Sequence, residues 1–283
     1  MQFNKFSIND FLFQDQKIIL NEKGKQKISR PKKITGSRIG AILGVDPYTT
    51  PFQAWCQMMG FFESTPDPFF LNAGIIIEPK LRSFVEKKLN CKFRFYEGKD
   101  VGFDVFKSNP VFGGMPDGEP IDQKTNKINY HQKLPMLEIK TTSLDEYFWT
   151  TVENELALVY ENDLPKIKSV GTRFSKWVDD KHIKIPLNYL YQLGLYLYLR
   201  NQTKGLFCVA FLSTQDYLNP ESFNLEKSLV LLEELEIDLK SFQKVIDYAI
   251  NWYQQHILSG ISPKMTNTDL EWFSFGYPDI KKK

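Results

Sequence analysis

The segment Met136–Thr141 places a carboxylate and an ammonium group where they could act together. On a β-strand alternate side chains share a face, so Glu138 and Lys140 are predicted to point the same way. A carboxylate there can hold a divalent cation, and the lysine can position a water or screen developing charge, as hydrolysis of a phosphodiester requires. The alternative is a solvated ion pair, which contributes at most about 1 kcal/mol.

A second carboxylate, Asp117, lies in the glycine-rich segment Phe112–Glu119. Glycines on both sides of it permit backbone conformations that other residues avoid, and they let a ligand approach the chain closely. We therefore expect Asp117 to share a cation with Glu138. The alternative is an ordinary Pro-Asp-Gly turn that joins two strands.

A third carboxylate, Glu78, precedes Pro79 and continues the apolar face that Leu81 and Val85 define in a predicted helix. We expect it to point inward; the alternative is an acid at the start of the helix, which the helix dipole favours. Three carboxylates in one pocket repel one another unless a cation lies among them, which indicates magnesium or manganese. No His or Cys ligands suited to zinc accompany these acids.

An amide lies within a run that is otherwise almost wholly apolar. The segment Leu187–Leu199 is predicted to be a helix, and Gln192 falls three residues after Tyr189. A buried amide needs hydrogen-bond partners. Gln192 is expected either to bond a neighbouring backbone group or to orient a metal-bound water.

The elements that must position these side chains follow from periodicity and from turn residues. The predicted helices are 34–44, 51–60, 81–89, 144–160, 187–199 and roughly 224–257, and the predicted strands are a pair within 92–106, then 129–141, 167–174 and 205–212. Residues 14–33 are polar, and we expect at most weak order there. Helices followed by strands mixed with helices predict one α/β domain around a mixed central sheet.

Composition limits the class of protein without naming a ligand. The 283 residues are 42% hydrophobic, which is enough for a substantial core, and the net charge of +2 gives no overall basic signature for nucleic acid. The three cysteines are widely spaced, so neither a disulfide framework nor an iron–sulfur cluster is expected. We find no signal peptide and no membrane span, and we predict a cytoplasmic protein.

Five segments occur in an order and spacing that resemble a known family. They are Ile34–Gly40, Gly74–Pro79, Met115–Gly118, Leu137–Lys140 and Tyr189–Gln192. The set resembles the YqaJ-like viral recombinase and lambda-exonuclease family of PD-(D/E)XK nucleases, over about residues 30 to 212. The resemblance implies a restriction-endonuclease-like core and magnesium-dependent degradation of duplex DNA from an end, in the 5′ to 3′ direction.

The resemblance also implies roles for particular residues. Asp117 and Glu138 resemble the metal ligands of the family, joined by the backbone carbonyl of Ile139. Glu78 resembles the helix acid that completes the site, and Gln192 resembles the amide of the Tyr-x-x-Gln motif. Some members form trimeric rings around DNA, and many act with a single-strand annealing protein.

A 5′-phosphate contact is implied as well. Arg30 and Ser37 match an arginine and a serine that hold a terminal 5′-phosphate in the family. Helix N–H groups favour an anion, and an arginine binds phosphate bidentately; the alternative is a helix cap and a solvated linker arginine. Met115 stands where relatives carry a small or hydroxyl residue, so one phosphate contact is expected to be missing. Arg38 and the two lysines before the helix could compensate.

The predicted organisation is a polar N-terminal lead-in over residues 1–29, a nuclease core over 30–215 and a C-terminal helical extension over 216–283 packed on that core. Two alternatives to an exonuclease stay open. One is a nicking or structure-specific endonuclease with the same pocket. The other is a non-catalytic module that binds DNA ends and descends from a nuclease.

Overall fold

The computed structural model describes residues 6–28, 32–62, 67–130, 134–152, 155–179 and 182–282. Its strands are β1 (Phe11–Gln14), β2 (Lys17–Leu20), β3 (Lys92–Arg94), β4 (Glu119–Ile121), β5 (Met136–Ser143), β6 (Glu146–Tyr147), β7 (Trp149–Val152), β8 (Glu155–Leu158), β9 (Tyr160–Glu161), β10 (Leu164–Pro165), β11 (Ile167–Ser169), β12 (Val178–Asp179), β13 (His182–Ile183), β14 (Lys204–Leu212) and β15 (Leu229–Glu236). Its helices are α1 (Glu22–Gln26), α2 (Gly36–Ile42), α3 (Pro51–Met59), α4 (Pro68–Leu89), α5 (Gly98–Val101), α6 (Thr172–Trp177), α7 (Leu187–Leu199), α8 (Thr214–Leu218), α9 (Leu239–Trp252) and α10 (Asn267–Gly276).

A mixed sheet in the order β15-β14-β5 forms the centre of the fold. β14 is antiparallel to β15 along the whole of β15, and it is parallel to β5 with Glu138 opposite Phe207. A bridge between Gly118 and Leu137 attaches the start of β4 to the other side of β5, and β3 pairs with β4. The predicted mixed α/β fold is therefore confirmed.

Helices cover both faces of this sheet. Alternate residues of β14 enter opposite layers: Leu206, Cys208 and Ala210 on the α4 side, and Phe207, Val209 and Phe211 on the α7 side. A strand that is buried on both faces has no need for polar alternation, which explains its continuous apolar sequence. β5 lies between the two helices, and its side chains can therefore meet groups from both.

The two ends of the chain pack together in a third hydrophobic cluster. The β1–β2 hairpin buries Phe11, Ile18 and Leu20, and these side chains contact the layer built from α3, α9 and α10. The backbone N–H of Ser262 donates to the carbonyl of Ile18 at 2.8 Å. The expectation of weak order across residues 14–33 was wrong for the hairpin, because Phe11, Ile18 and Leu20 are buried in the core.

Several predicted elements differ from the structure. The predicted helix 144–160 is a series of short strands, β6 to β9, in keeping with the β-branched residues of β7. The predicted helix 224–257 is the strand β15 followed by α9, so part of the C-terminal extension belongs to the central sheet. Pairing with β14 overrides the helix-forming Leu and Glu residues of β15. Within the predicted strand pair 92–106, residues 92–94 form β3 but residues 98–101 form α5. The predicted strand 167–174 is β11 over 167–169, followed by the start of α6.

Other local predictions were confirmed. α3 begins after Thr50, which caps it and forms a reciprocal capping box with Gln53, and it ends at Gly60 with a φ of 81°. α7 has the predicted bounds. Within the described ranges, none of the helices is both long enough and apolar enough for a membrane crossing. All three cysteines are buried and free.

Candidate active site

β5 holds Glu138 and Lys140 on the face that α7 covers. The Nζ atom of Lys140 donates to Oε1 of Glu138 at 2.7 Å, so the two side chains point the same way as predicted. The Glu138 side chain is 0% exposed and that of Lys140 is 18% exposed. The alternative of a solvated ion pair was therefore wrong.

Asp117 lies at a bend immediately before β4. Its Oδ2 atom accepts a hydrogen bond from the backbone N–H of Ile139 at 2.8 Å. The next residue, Gly118, exchanges two backbone hydrogen bonds with Leu137, at 2.9 and 3.1 Å. A Cβ atom at Gly118 would lie 3.1 Å from Cβ of Phe93, so a glycine lets this bend approach β5 closely. The bend thus places Asp117 beside Glu138.

Glu78 lies in the interior of α4, ten residues after its first residue, Pro68. The alternative of an acid at a helix start was therefore wrong. α4 passes close to the end of β5, because a Cβ atom at Gly74 would lie 3.6 Å from Oγ1 of Thr141. Glu78 is one turn further along α4. Its Oε1 accepts from Nη2 of Arg82 at 3.0 Å, one turn beyond.

Gln192 reaches the same carboxylate from α7. Its Nε2 donates to Oε1 of Glu138 at 2.5 Å, and its Oε1 accepts from Nζ of Lys140 at 3.3 Å. The amide therefore bonds to side chains, and the alternative of a bond to a backbone group is not supported. We refer to Glu78, Asp117, Glu138, Lys140 and Gln192 as the catalytic cluster. Glu138, Lys140 and Gln192 form a closed triangle of hydrogen bonds.

The surroundings raise the pKa of two carboxylates of the cluster, Glu138 and Glu78. Burial, reinforced by the negative charge of Asp117, raises the pKa of Glu138 from 4.5 to about 8, although Lys140 opposes the change. Burial and Asp117 likewise raise the pKa of Glu78, with Arg82 acting against them. Burial lowers the pKa of Lys140, but Glu138 and Asp117 outweigh it and the net pKa is raised. Lys140 therefore stays charged near neutral pH.

One atom of this cluster lacks a partner. Oε2 of Glu138 is buried and has no hydrogen bond, which is costly for a carboxylate oxygen. Carboxylates and a backbone carbonyl are the hard oxygen donors that magnesium prefers, so the residues present fit a divalent cation. Among the described residues, however, no three His, Cys, Asp or Glu side chains are gathered as a ready metal cage. Glu78 and Asp117 instead bond to Arg82 and to the Ile139 amide.

A basic pocket of about 420 Å³ lies at the start of α2. Its lining includes Lys33, Thr35, Arg38 and Gly114. The Arg38 guanidinium donates to the carbonyl of Lys33 at 3.1 Å, and burial lowers its pKa. Ser37 is exposed beside this pocket, with its hydroxyl 3.0 Å from that of Thr35. The predicted phosphate contact Arg30 lies outside the described residues.

The sequence analysis gave no role to three residues near the cluster, although Tyr189 was noted as part of the Tyr-x-x-Gln motif. Arg82 holds Glu78, and the Tyr189 ring centroid lies 4.7 Å from Nζ of Lys140. The hydroxyl of Tyr196 accepts from the N–H of Gly36 at 3.2 Å. Helical spacing was the available signal, because Arg82 falls four residues after Glu78, and Tyr189 and Tyr196 share a face of α7 with the predicted amide.

The candidate active site is thus a buried carboxylate and a lysine on β5 of a mixed sheet, and the sequence comparisons identify the family. Residues 27–202 match the YqaJ-like viral recombinase domain. The chain belongs to the YqaJ-like viral recombinase family, and the family predicted from the five segments is confirmed.

Relatives extend the similarity beyond that domain. The uncharacterized protein MG373 of Mycoplasma genitalium is 42% identical over 276 residues, covering 96% of this chain and 98% of the relative. An MG373 homolog from Mycoplasma pneumoniae is 40% identical over 275 residues, covering 96% and 98%. Among solved structures, an alkaline exonuclease from Laribacter hongkongensis gives a TM-score of 0.47 at 11% identity, covering 80% of this chain and 89% of that protein. A likeness this weak has no bearing on the function of the chain.

Proposed function

We propose that the chain is a DNA exonuclease of the PD-(D/E)XK type, which uses magnesium or manganese to hydrolyse phosphodiester bonds from duplex ends in the 5′ to 3′ direction. The observation that carries this proposal is the buried Glu138, whose Oε1 is held by Lys140 and Gln192 while its Oε2 has no partner. Membership of a viral recombinase family agrees with an enzyme that processes DNA ends.

In this proposal Glu138, Asp117 and the carbonyl of Ile139 would hold the cation, and Glu78 would complete the set. When bound, a divalent cation supplies Lewis acidity at the phosphate and acidifies a water. Lys140 is charged and next to the carboxylate, so it can hold the attacking water or offset negative charge on the phosphate.

Gln192 has a positioning role in the same proposal. Because its Nε2 and the Lys140 ammonium both bond Oε1 of Glu138, the side chain is fixed and Oε2 is left for the cation. A fixed ligand needs no rearrangement when charge develops in the reaction, which is the general advantage of a preorganised site.

The basic pocket is proposed to receive the terminal 5′-phosphate. Arg38 supplies positive charge there, whereas Lys33 is ion-paired with Asp104 of the same lining at 2.7 Å. Thr35, Ser37 and Arg30 would supply further donors. Tyr196 joins this pocket to the catalytic cluster, because its ring lies against Gly114 and its helix carries Gln192. A DNA strand held in this pocket by its terminal 5′-phosphate would then run past the carboxylates of Glu138 and Asp117.

A digestion assay with three substrates tests the proposal. Purified protein with magnesium is expected to shorten a linear duplex, to prefer a 5′-phosphorylated over a 5′-hydroxyl end, and to spare covalently closed circles. Cleavage of closed circles would favour the nicking or structure-specific endonuclease. Ordinary DNA affinity without cleavage or metal binding would favour the non-catalytic module.

Matched variants assign the chemistry to the cluster. Glu138→Ala and Lys140→Ala are expected to lower the digestion rate by roughly 100-fold or more, the usual cost of removing an electrostatic group from a reacting centre. Lys244→Ala, which removes an exposed lysine of α9, is the control and is expected to digest DNA normally. Full activity of either cluster variant would refute the assigned site.

Family membership also leads us to propose a single-strand annealing protein as partner and a trimeric ring as the assembly. Sedimentation of the purified protein distinguishes a 33.1 kDa monomer from a trimer. Digestion assays with and without a co-expressed annealing protein test the partnership.

A further inference from the structure

A second pocket, of about 470 Å³, lies beside the catalytic cluster, and its volume is typical of sites for organic ligands. We call it the aromatic pocket, after the six aromatic side chains in its lining: Tyr48, Phe70, Tyr147, Trp149, Tyr189 and Tyr217. Two of these rings are open to a ligand, since Tyr48 is 66% exposed and Trp149 is 44% exposed. Large aromatic side chains at a concave, accessible surface indicate a site for a flat partner.

The aromatic pocket is continuous with the candidate active site. The residues that follow Lys140 on β5, Thr141 to Ser143, form part of its wall. The Tyr189 ring contacts both sites, because it lines the aromatic pocket and its centroid lies 4.7 Å from Nζ of Lys140. A molecule in this pocket would therefore lie next to the proposed catalytic lysine.

A cation is held at the edge of the aromatic pocket. Arg173 donates from Nε to Oγ1 of Thr142 at 3.1 Å and from Nη2 to the hydroxyl of Tyr48 at 3.2 Å. These bonds fix a guanidinium among aromatic rings. A charged arginine combined with stacking surfaces suits a nucleotide, whose base is flat and whose phosphate is negative, better than a purely apolar ligand.

The two pockets lie on opposite sides of the carboxylates along α7. Tyr189 lines the aromatic pocket, Gln192 bonds Glu138, and Tyr196 lies against Gly114 of the basic pocket. A helix rises about 1.5 Å per residue, so these contacts are spread over roughly 10 Å. A DNA strand with its terminal phosphate in the basic pocket would pass the carboxylates and reach the aromatic pocket with its next nucleotide.

We propose that the aromatic pocket binds an unpaired base of the strand under attack, namely the base on the far side of the scissile phosphate from the 5′ end. This inference rests on the proposed nuclease function. Stacking of the base on Tyr48 and Trp149 offsets the loss of base pairing near the end, and Arg173 neutralises the adjoining phosphate. The bound base keeps the scissile phosphate positioned next to the Lys140 ammonium.

Binding of a duplex that lacks this base tests the proposal. Fluorescence anisotropy in EDTA, which prevents metal-dependent cleavage, compares a 5′-phosphorylated duplex with one that is abasic at the second nucleotide. Stacking on aromatic side chains contributes enough that the wild type is expected to bind the intact duplex roughly 10-fold more tightly. Tyr48→Ala and Trp149→Ala are expected to lose most of this preference. The exposed Tyr248 of α9 provides the control, and Tyr248→Ala is expected to keep it.

Four outcomes separate this proposal from the proposed function. Equal binding of both duplexes by a wild type that digests linear DNA would overturn the base site and leave the nuclease intact. A preference that survives both pocket substitutions would also overturn it. A preference without digestion in magnesium would support the base site and refute the nuclease. Absence of any DNA binding would overturn both proposals.

Discussion

The buried carboxylate of Glu138 has a consequence for the stability of the metal-free protein. Its side chain is 0% exposed, and its pKa is raised from 4.5 to about 8 by burial and by the charge of Asp117. Glu138→Gln replaces it with a neutral amide of the same shape. The variant thus resembles the protonated wild type at every pH.

The sign of the effect follows from proton binding. Because the pKa of Glu138 is raised in the folded state, protonation of Glu138 stabilises the fold. This stabilisation is fully present below about pH 4.5 and is lost as the pH rises through about 8. Each pH unit inside that interval lowers the free energy of unfolding by about 1.4 kcal/mol. Between about pH 5.5 and about pH 8 the free energy of unfolding should fall by about 3 kcal/mol, or roughly 5 °C in melting temperature for a chain of 283 residues.

Thermal unfolding in EDTA, measured across this pH range, is the assay. The melting temperature of Glu138→Gln relative to wild type is expected to rise with pH, so that the variant is the more stable protein at about pH 8. Magnesium is expected to restore wild-type stability at that pH, because a cation favours the ionised carboxylate, and to stabilise the variant less.

Glu119 provides a matched control, because its side chain is also 0% exposed but its oxygens are fully bonded. It accepts from Nε and Nη2 of Arg200 at 2.7 and 2.8 Å and from the hydroxyl of Tyr130 at 2.8 Å. Glu119→Gln is expected to cost roughly 3–5 kcal/mol at every pH tested, the usual result of breaking a buried ion pair. If the difference in melting temperature between wild type and Glu138→Gln were the same at every pH, the argument about Glu138 would be refuted.

Three further predictions follow from the site. Gly114→Ala should lower the free energy of unfolding, measured in urea, by at least about 2 kcal/mol, because φ is 119° and the new Cβ would lie 2.4 Å from the Tyr196 hydroxyl. Gly44→Ala is the control and should cost only about 1 kcal/mol, because φ is 71° and no atom lies within 4 Å of the new Cβ. Arg82→Met should move the acidic limb of the pH–rate profile to higher pH, because Arg82 lowers the pKa of Glu78; an unmoved limb would exclude Glu78 from catalysis. The affinity for DNA should fall with salt at a log–log slope of about −2.7 to −4.5 if three to five phosphates are engaged, and a slope near zero would argue against a phosphate-binding groove.

Local sequence was sufficient where the physical rule is itself local. The alternation of a strand predicted that Glu138 and Lys140 share a face, and apolar composition predicted α7 with its bounds. Turn residues predicted the ends of α3. Where pairing partners decide the structure, the same rules failed, as for β15, whose Leu and Glu residues favour a helix until β14 pairs with them.

The residue types and their spacing therefore determined the chemistry that this chain can offer, namely carboxylates and a lysine in the order of a nuclease family. Tertiary structure alone decided which groups meet: Arg82 with Glu78, Gln192 with Glu138, and Tyr189 with both Lys140 and the aromatic pocket. It also decided that Oε2 of Glu138 is buried without a partner. The physical reason is that desolvation and charge coupling depend on distances between elements far apart in the chain, and these arise only when α4, β5 and α7 pack together.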